Sequence, residues 1–259
     1  MIKSMTFHTI RNLVIVSLLA GQILLAREAD IVSKSVVYHQ TDGNAITGYL
    51  AAPKPHDKYP AIILIHEWWG LNNSIRSKAK DFAKEGYVAL AIDLYEGKST
   101  IKPKEARLLA EAVRKNMSGA FKNLRSAVDF LKNSPNVDTN RLASIGWCFG
   151  GGWSYQMAKN DLGMKVSVIY YGRFNPTDDL KKMRTDIIGH FAEKDRVIEI
   201  DSVKEFQVKL KTLKGDHEIY IYPNTTHGFA SRKGENPNYD AEAATLAKQR
   251  TLTFLKNNL

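Results

Sequence analysis

Hydrophobic residues recur along this chain in short continuous runs that are separated by amphipathic stretches. A continuous apolar run of five or six residues is typical of a parallel strand with helices on both of its faces, because neither face meets water. Two shorter stretches, 36–39 and 46–51, flank the turn residues 41–44 and predict a hairpin. The buried strands are predicted at 61–65, 87–92, 142–147, 166–171 and 187–191, with a further strand at 218–222.

The stretches between these strands carry apolar residues every three or four positions, which predicts helices. The longest of them, 104–132, contains Met117-Ser118-Gly119, where we expect it to divide into two helices. Strands that alternate with helices predict an α/β fold: one mostly parallel, twisted sheet with helices on both faces, formed by a single domain over residues 30–259. The other predicted helices are 74–84, 153–159, 202–213 and 239–257.

Residues 1–29 differ from the rest of the chain. Lys3, His8 and Arg11 give them a basic start, an apolar core follows over 13–26, and charged residues resume after it. This three-part layout predicts a secretory signal peptide with an undetermined cleavage point, and hence a secreted or periplasmic protein. An uncleaved interfacial or membrane anchor is the alternative, although the core is short for a membrane span.

Composition narrows the classes of partner. Lys and Arg outnumber Asp and Glu by 37 to 27, a formal charge of +10, but the basic residues are scattered among acidic ones. A nucleic-acid partner is therefore not expected, and a basic surface favours anionic molecules only weakly. The single cysteine excludes an internal disulfide and a multi-cysteine metal site. We expect no metal or cofactor, a monomer or weak dimer, and membrane contact only through an uncleaved N-terminus.

The single cysteine lies in the sequence Gly146-Trp147-Cys148-Phe149-Gly150, between a predicted strand and a predicted helix. This is the nucleophile-elbow pattern with a thiol in place of the usual serine hydroxyl. Small residues flank the sharp turn, and the helix that begins there favours a thiolate, and later an oxyanion, at its N-terminus. The alternative is that Cys148 is a small buried apolar residue, as free cysteines often are.

Two polar residues, Asp195 and His227, each follow the carboxyl end of a later predicted strand. The order Cys, Asp, His is that of the catalytic triad in α/β-hydrolases. In such a triad the acid orients the imidazole, and the imidazole activates the nucleophile. Glu193 and Asp201 are alternative acids, since both lie near Asp195 in the chain.

The segment 66–70, His-Glu-Trp-Trp-Gly, follows the first of the buried strands. In α/β-hydrolases this loop supplies one N–H group of the oxyanion hole and the residue after the nucleophile supplies the other, which predicts the backbone amides of Trp68 and Phe149. The zinc motif H-E-x-x-H is not met, because Gly70 stands at its last position. Glu67 is either functional or a partner in a surface salt bridge. The aromatic residues that predict a substrate pocket, or else ordinary core, are Trp68, Trp69, Trp147, Phe149 and Phe229.

A set of motifs occurs together in this chain: His66-Glu67-x-x-Gly70, Asp93-Leu94-Tyr95, Gly146-x-Cys148-x-Gly150-Gly151, Asp195 and His227-Gly228-Phe229. With these motifs the chain resembles the dienelactone hydrolase (carboxymethylenebutenolidase-like) family of the α/β-hydrolase fold, from about Ser35 to Leu259. The resemblance implies a triad of Cys148, His227 and Asp195. It also implies that Glu67 pairs with the thiol in the resting enzyme and accepts its proton when substrate binds, which would limit oxidation of the thiol.

The same resemblance implies that members acting on dienelactone bind the substrate carboxylate with two arginines. At those places this chain has Glu96 and Ser231. Lys98 and Arg232 are candidate replacements, and together with Tyr95 they are assigned to the substrate pocket. Dienelactone itself is therefore not the expected substrate.

The residues and the resemblance together predict a cysteine-dependent hydrolase of small esters or lactones that acts through an acyl-thioester. The alternative is non-catalytic binding of a small hydrophobic molecule on the same fold. Thiol redox chemistry is disfavoured, because the chain has no second cysteine to resolve an oxidised Cys148.

Overall fold

The computed structural model describes residues 30–41, 43–54, 56–232, 234 and 236–259. The predicted signal peptide, residues 1–29, lies outside these ranges. None of the helices in these ranges is both long enough and apolar enough for a membrane crossing.

A single sheet of eight strands forms the centre of the described chain. Its strands are β1 (Ile31–Thr41), β2 (Asn44–Pro53), β3 (Tyr59–Ile65), β4 (Val88–Ile92), β5 (Val137–Trp147), β6 (Val166–Tyr170), β7 (Asp186–Ala192) and β8 (His217–Tyr222). Their spatial order is β1-β2-β4-β3-β5-β6-β7-β8. The β1–β2 hairpin and the β2–β4 pair are antiparallel, and all other neighbours are parallel. The predicted α/β fold with a mostly parallel sheet is confirmed.

Helices cover both faces of this sheet. Those in the described residues are α1 (Asn73–Lys84), α2 (Pro103–Lys115), α3 (Met117–Lys132), α4 (Phe149–Lys159), α5 (Ile200–Leu210) and α6 (Ala241–Asn258). Buried side chains of α1 and α6 pack on one face, and those of α2, α3, α4 and α5 pack on the other. The strands between them are buried on both sides, as their continuous apolar sequences predict.

Most helices begin or end within a few residues of the predicted positions, and two of the differences have a local cause. α2 ends and α3 begins around Asn116, because its side chain accepts a hydrogen bond from the Gly119 N–H (3.0 Å) and caps α3. α4 begins at Phe149 rather than at residue 153, and its first turn contains three glycines, whose intrinsic helix propensity is low. Close packing of this turn against the end of β3 stabilises it instead.

A buried hydrogen-bond network joins β6, β7, β8 and α6. The ring of His190 is fully buried, with Nδ1 2.9 Å from the Tyr222 hydroxyl and Nε2 2.9 Å from the Thr251 hydroxyl. Thr251 also lies 2.7 Å from the Tyr170 hydroxyl. Burial, and to a smaller extent the charge of Arg250, lowers the pKa of His190 from 6.5 to about 3. The folded protein therefore holds this histidine neutral.

This neutral histidine should make the protein less stable in acid. In the unfolded chain His190 binds a proton near pH 6.5, whereas the folded state excludes that proton until the pH approaches 3. As the pH is lowered from 6.5 to about 3, the free energy of unfolding should therefore decrease. This one group contributes a decrease of about 1.4 kcal/mol per pH unit. Urea unfolding at several pH values measures the slope. We expect a shallower slope in His190→Gln, and an equal slope in both proteins would contradict the assignment.

Candidate active site

Cys148 occupies the sharp turn between β5 and α4. Its backbone has φ 53° and ψ −112°, a strained conformation for a residue other than glycine. A Cβ atom on Gly146 would lie 2.0 Å from the Gly150 carbonyl oxygen, and a Cβ atom on Gly150 would lie 2.2 Å from the Ile65 carbonyl oxygen. Only glycine fits at either place. The elbow therefore raises the half-buried Cys148 side chain at the carboxyl end of the sheet.

The three residues predicted as a triad form one line of hydrogen bonds. The Cys148 Sγ lies 3.1 Å from His227 Nε2, and His227 Nδ1 lies 2.8 Å from Asp195 Oδ2. The Asp195 side chain is 1% exposed and that of His227 is 20% exposed. The other Asp195 oxygen accepts the backbone N–H groups of Val197 (2.7 Å) and Ile198 (3.1 Å). These bonds fix the carboxylate towards the imidazole.

The alternative acids lie elsewhere. Glu193 is exposed and accepts the Asn224 N–H at 2.8 Å. Asp201 is exposed at the start of α5 and pairs with Lys204 at 3.0 Å. Among these three carboxylates, Asp195 is the one that contacts His227.

The charge state of His227 follows from its neighbours. Burial disfavours the charged ring, but hydrogen bonds to Asp195 and Cys148 and the negative charges of both groups outweigh burial and raise the pKa of His227 to about 10. The ring is therefore an imidazolium at neutral pH, with both N–H groups donating. The Nε2 of this ring is the nitrogen that lies 3.1 Å from the Cys148 sulfur.

Glu67 lies beside this line but is held by other residues. Its Oε1 accepts hydrogen bonds from the Ser231 hydroxyl (2.8 Å) and the Tyr171 hydroxyl (3.4 Å). The thiol contacts His227 instead, so the pairing of Glu67 with Cys148 that the resemblance implies is not the arrangement in this structure.

Tyr171 and Ser231 are therefore site residues whose contacts with Glu67 the sequence did not predict. Tyr171 is fully buried, has φ 38°, and packs its ring edge-on against His227 at 5.1 Å. Burial and the charge of Glu67 raise the pKa of Tyr171 well above its usual value, so the hydroxyl stays a neutral donor. Its position directly after β6, next to the strand that carries Cys148, is the sequence signal that points to the site.

The two predicted oxyanion amides belong to adjacent segments. Phe149 is the first residue of α4, and Trp68 lies in a turn in which the Gly70 N–H donates to the Glu67 carbonyl at 3.2 Å. Neither the Trp68 nor the Phe149 N–H donates to another residue within the described ranges. Both groups are therefore available to a substrate oxygen.

Trp147 and Phe229, both predicted to line the pocket, are buried. Trp147 is 4% exposed and stacks on Tyr170 with ring centroids 5.3 Å apart. Phe229 is fully buried against Tyr171 and Tyr222. Their rings pack against other aromatic side chains inside the protein.

The other pocket candidates differ in exposure. Trp68 and Trp69 are half-buried and pack on each other at 4.7 Å. Tyr95 is 3% exposed, and its buried hydroxyl has no hydrogen-bond partner in the described part of the chain. Lys98 and Arg232 are exposed. The described residues contain no group of three or more His, Cys, Asp or Glu side chains arranged to hold a metal ion.

Comparison with known proteins relates the chain to one family over most of its length. The profile of the dienelactone hydrolase family matches residues 46–259. Protein usf of Aquifex pyrophilus is 32% identical over 231 residues, which are 86% of this chain and 98% of that protein. A putative carboxymethylenebutenolidase of Aquifex aeolicus is 28% identical over 230 residues, with the same coverage of both chains. The crystal structure of a putative dienelactone hydrolase from Klebsiella pneumoniae shares the fold, with a TM-score of 0.76 at 23% identity over 88% of this chain and 99% of that one.

Proposed function

Because this chain belongs to the dienelactone hydrolase family, we propose that it hydrolyses small carboxylic esters or lactones through a catalytic triad of Cys148, His227 and Asp195. Family membership supports the class of reaction. The observation that carries the triad is the unbroken line of hydrogen bonds from the Cys148 thiol through His227 to a buried carboxylate. The strained elbow that presents the thiol is a second support, since strain of this kind persists where function requires it.

In the first half of the reaction, Cys148 Sγ attacks the carbonyl carbon of the substrate. The carbonyl oxygen becomes an oxyanion, which accepts hydrogen bonds from the Trp68 and Phe149 N–H groups. Collapse of this intermediate breaks the bond between the carbonyl carbon and the ester oxygen, and the His227 imidazolium gives its proton to that oxygen. An ester releases its alcohol, whereas a lactone opens its ring, and an acyl-thioester on Cys148 remains.

The second half depends on a change in His227. Once the sulfur is acylated it carries no negative charge, so one of the groups that raises the pKa of His227 is removed. The ring, neutral after giving up its proton, takes a proton from water, and the resulting hydroxide attacks the thioester. The acid leaves, the thiolate returns, and the protonated ring again faces it. Asp195 holds the same ring orientation throughout.

Charges around the thiol favour uncharged acyl groups in this proposal. Ser231, which stands where the resemblance implies an arginine, is neutral and donates a hydrogen bond to Glu67. The candidate replacements Lys98 and Arg232 are exposed. The Glu67 carboxylate accepts the Tyr171 hydroxyl at 3.4 Å, and both nitrogens of the His227 imidazolium are engaged by Asp195 and the Cys148 sulfur. A substrate carboxylate near Glu67 would meet like charge, which costs free energy in a partly desolvated site.

The test is to trap the acyl-thioester. p-Nitrophenolate is a leaving group that needs no proton, so p-nitrophenyl acetate should still acylate Cys148 in His227→Gln at alkaline pH, where a thiol ionises without help from the imidazolium. Hydrolysis of the thioester stops because no base activates water. We expect a burst of one p-nitrophenolate per chain and one acyl group on the Cys148 peptide by mass spectrometry. Alkylating the thiol beforehand should remove the burst. A folded His227→Gln protein that shows neither the burst nor an acyl group on Cys148 would contradict the mechanism.

A further inference from the structure

His66 is a fully buried histidine that lies directly after β3 and does not contact the thiol. Its Nδ1 is 2.6 Å from the Glu67 carbonyl oxygen, and its Nε2 is 3.2 Å from the Leu94 backbone nitrogen. Leu94 N–H donates, so Nε2 is the acceptor and the proton resides on Nδ1, which donates to the carbonyl. Burial lowers the pKa of His66, although Asp93 nearby opposes this, so the ring stays neutral. Both ring nitrogens thus form hydrogen bonds with backbone groups.

The carbonyl that His66 holds belongs to the same peptide unit as the Trp68 N–H. A trans peptide is planar, and its C=O and N–H point in opposite directions. Fixing the Glu67 oxygen therefore fixes the direction of the Trp68 N–H. The Gly70 N–H donates to the same oxygen at 3.2 Å, so the peptide is held by two donors. Hydrogen bonds to the carbonyl also polarise the peptide and strengthen its N–H as a donor.

The same ring supports the second oxyanion segment. His66 stacks on the Phe149 ring, with centroids 5.7 Å apart and planes 16° apart. The first turn of α4 also approaches β3 so closely that a Cβ atom on Gly150 would lie 2.6 Å from the His66 carbonyl oxygen. One buried imidazole thus contacts both segments that carry the available N–H groups.

We propose that His66 is a positioning residue that aligns the Trp68 and Phe149 N–H groups towards the oxyanion of the transition state. This inference rests on the proposed function. Oxyanion donors accelerate a reaction because they are oriented before charge develops, so losing the orientation of one donor reduces the rate without preventing substrate binding. His66 contributes through the backbone and never touches the substrate.

The experiment separates the oxyanion hole from the nucleophile. Ester hydrolysis develops an oxyanion, whereas alkylation of a thiolate by iodoacetamide does not. His66→Phe keeps an aromatic ring against Phe149 but removes both hydrogen bonds of the imidazole. We expect kcat/KM for p-nitrophenyl acetate to fall about 100-fold, mostly in kcat, while the alkylation rate of Cys148 stays within about threefold of wild type. His66→Gln, whose amide can both donate and accept, should recover part of the loss.

The matched control is His39→Phe, the same change at a histidine on β1 that bonds Ser126 at 2.8 Å, and it should retain wild-type rates. Unchanged hydrolysis in His66→Phe, or hydrolysis and alkylation that fall together, would overturn the role of His66. Should His66→Phe fail to fold, the ratio of the hydrolysis rate to the alkylation rate is measured in His66→Asn, whose amide is too short to span both partners. A ratio equal to that of wild type would overturn the role of His66. Hydrolysis that survives Cys148→Ala would overturn the proposed function as well.

Discussion

Replacing Cys148 by alanine should abolish ester hydrolysis, with kcat/KM falling at least about 1,000-fold, because no other group at the elbow can form the acyl intermediate. The chain has a single cysteine, so no neighbouring thiol can substitute for it. Steady-state hydrolysis of a panel of p-nitrophenyl esters and lactones measures the loss. The panel should pair each neutral acyl group with a carboxylate-bearing one of similar size.

Stability provides the control for this variant. The Cys148 side chain is only half-buried, so its loss should leave the melting temperature nearly unchanged. A folded Cys148→Ala protein that still hydrolyses esters at the wild-type rate would show that the thiol is not the nucleophile. A folded and inactive variant, together with the acylated Cys148 peptide, would support the mechanism.

Replacing Gly146 by alanine should destabilise the protein by more than about 4 kcal/mol, the range reached only by severe steric or core defects. The new Cβ atom would lie 2.0 Å from the carbonyl oxygen and 2.1 Å from the carbonyl carbon of Gly150. Both are backbone atoms in the first turn of α4, so the contact cannot be relieved by a side-chain rotation. Either β5 and α4 separate, or the elbow changes shape and removes Cys148 from His227. Urea unfolding measures the loss, and activity should fall with it.

Gly86→Ala is the matched control, because it adds the same methyl group at a glycine with open space around it. Gly86 has φ +94° and no heavy atom within 4 Å of the added Cβ, so the variant reports the cost of the left-handed backbone alone, about 1–2 kcal/mol. Equal losses in the two variants would mean that the close approach of β5 and α4 does not restrict residue 146.

The positions of the strands and the class of the fold can be predicted from the sequence. A parallel strand between two helical layers has no polar face, so its sequence is a continuous apolar run, as in 61–65 and 187–191. The structure confirms these strands within one or two residues. The first turn of α4 is a different case, because three glycines give little local signal for a helix and packing against β3 determines the conformation.

The location of the site also follows from chain order. β5, β7 and β8 run parallel in one sheet, so residues that follow their carboxyl ends gather at one edge. This is why Cys148, Asp195 and His227 can be selected from the sequence before any contact is known. Their separations, and the position of the alternative acid Glu193 against the Asn224 N–H instead of His227, depend on the loops, whose conformations no local pattern specifies.

By itself, then, the sequence determined the architecture and the reactive residue types, because hydrophobic periodicity and glycine spacing act locally. Only the tertiary structure decided which groups meet: Ser231 with Glu67, His66 with the backbone of the loop after β3, and Trp147 with Tyr170. These contacts join segments from different strands. They depend on how the whole sheet twists and packs, and no single stretch of sequence contains that information.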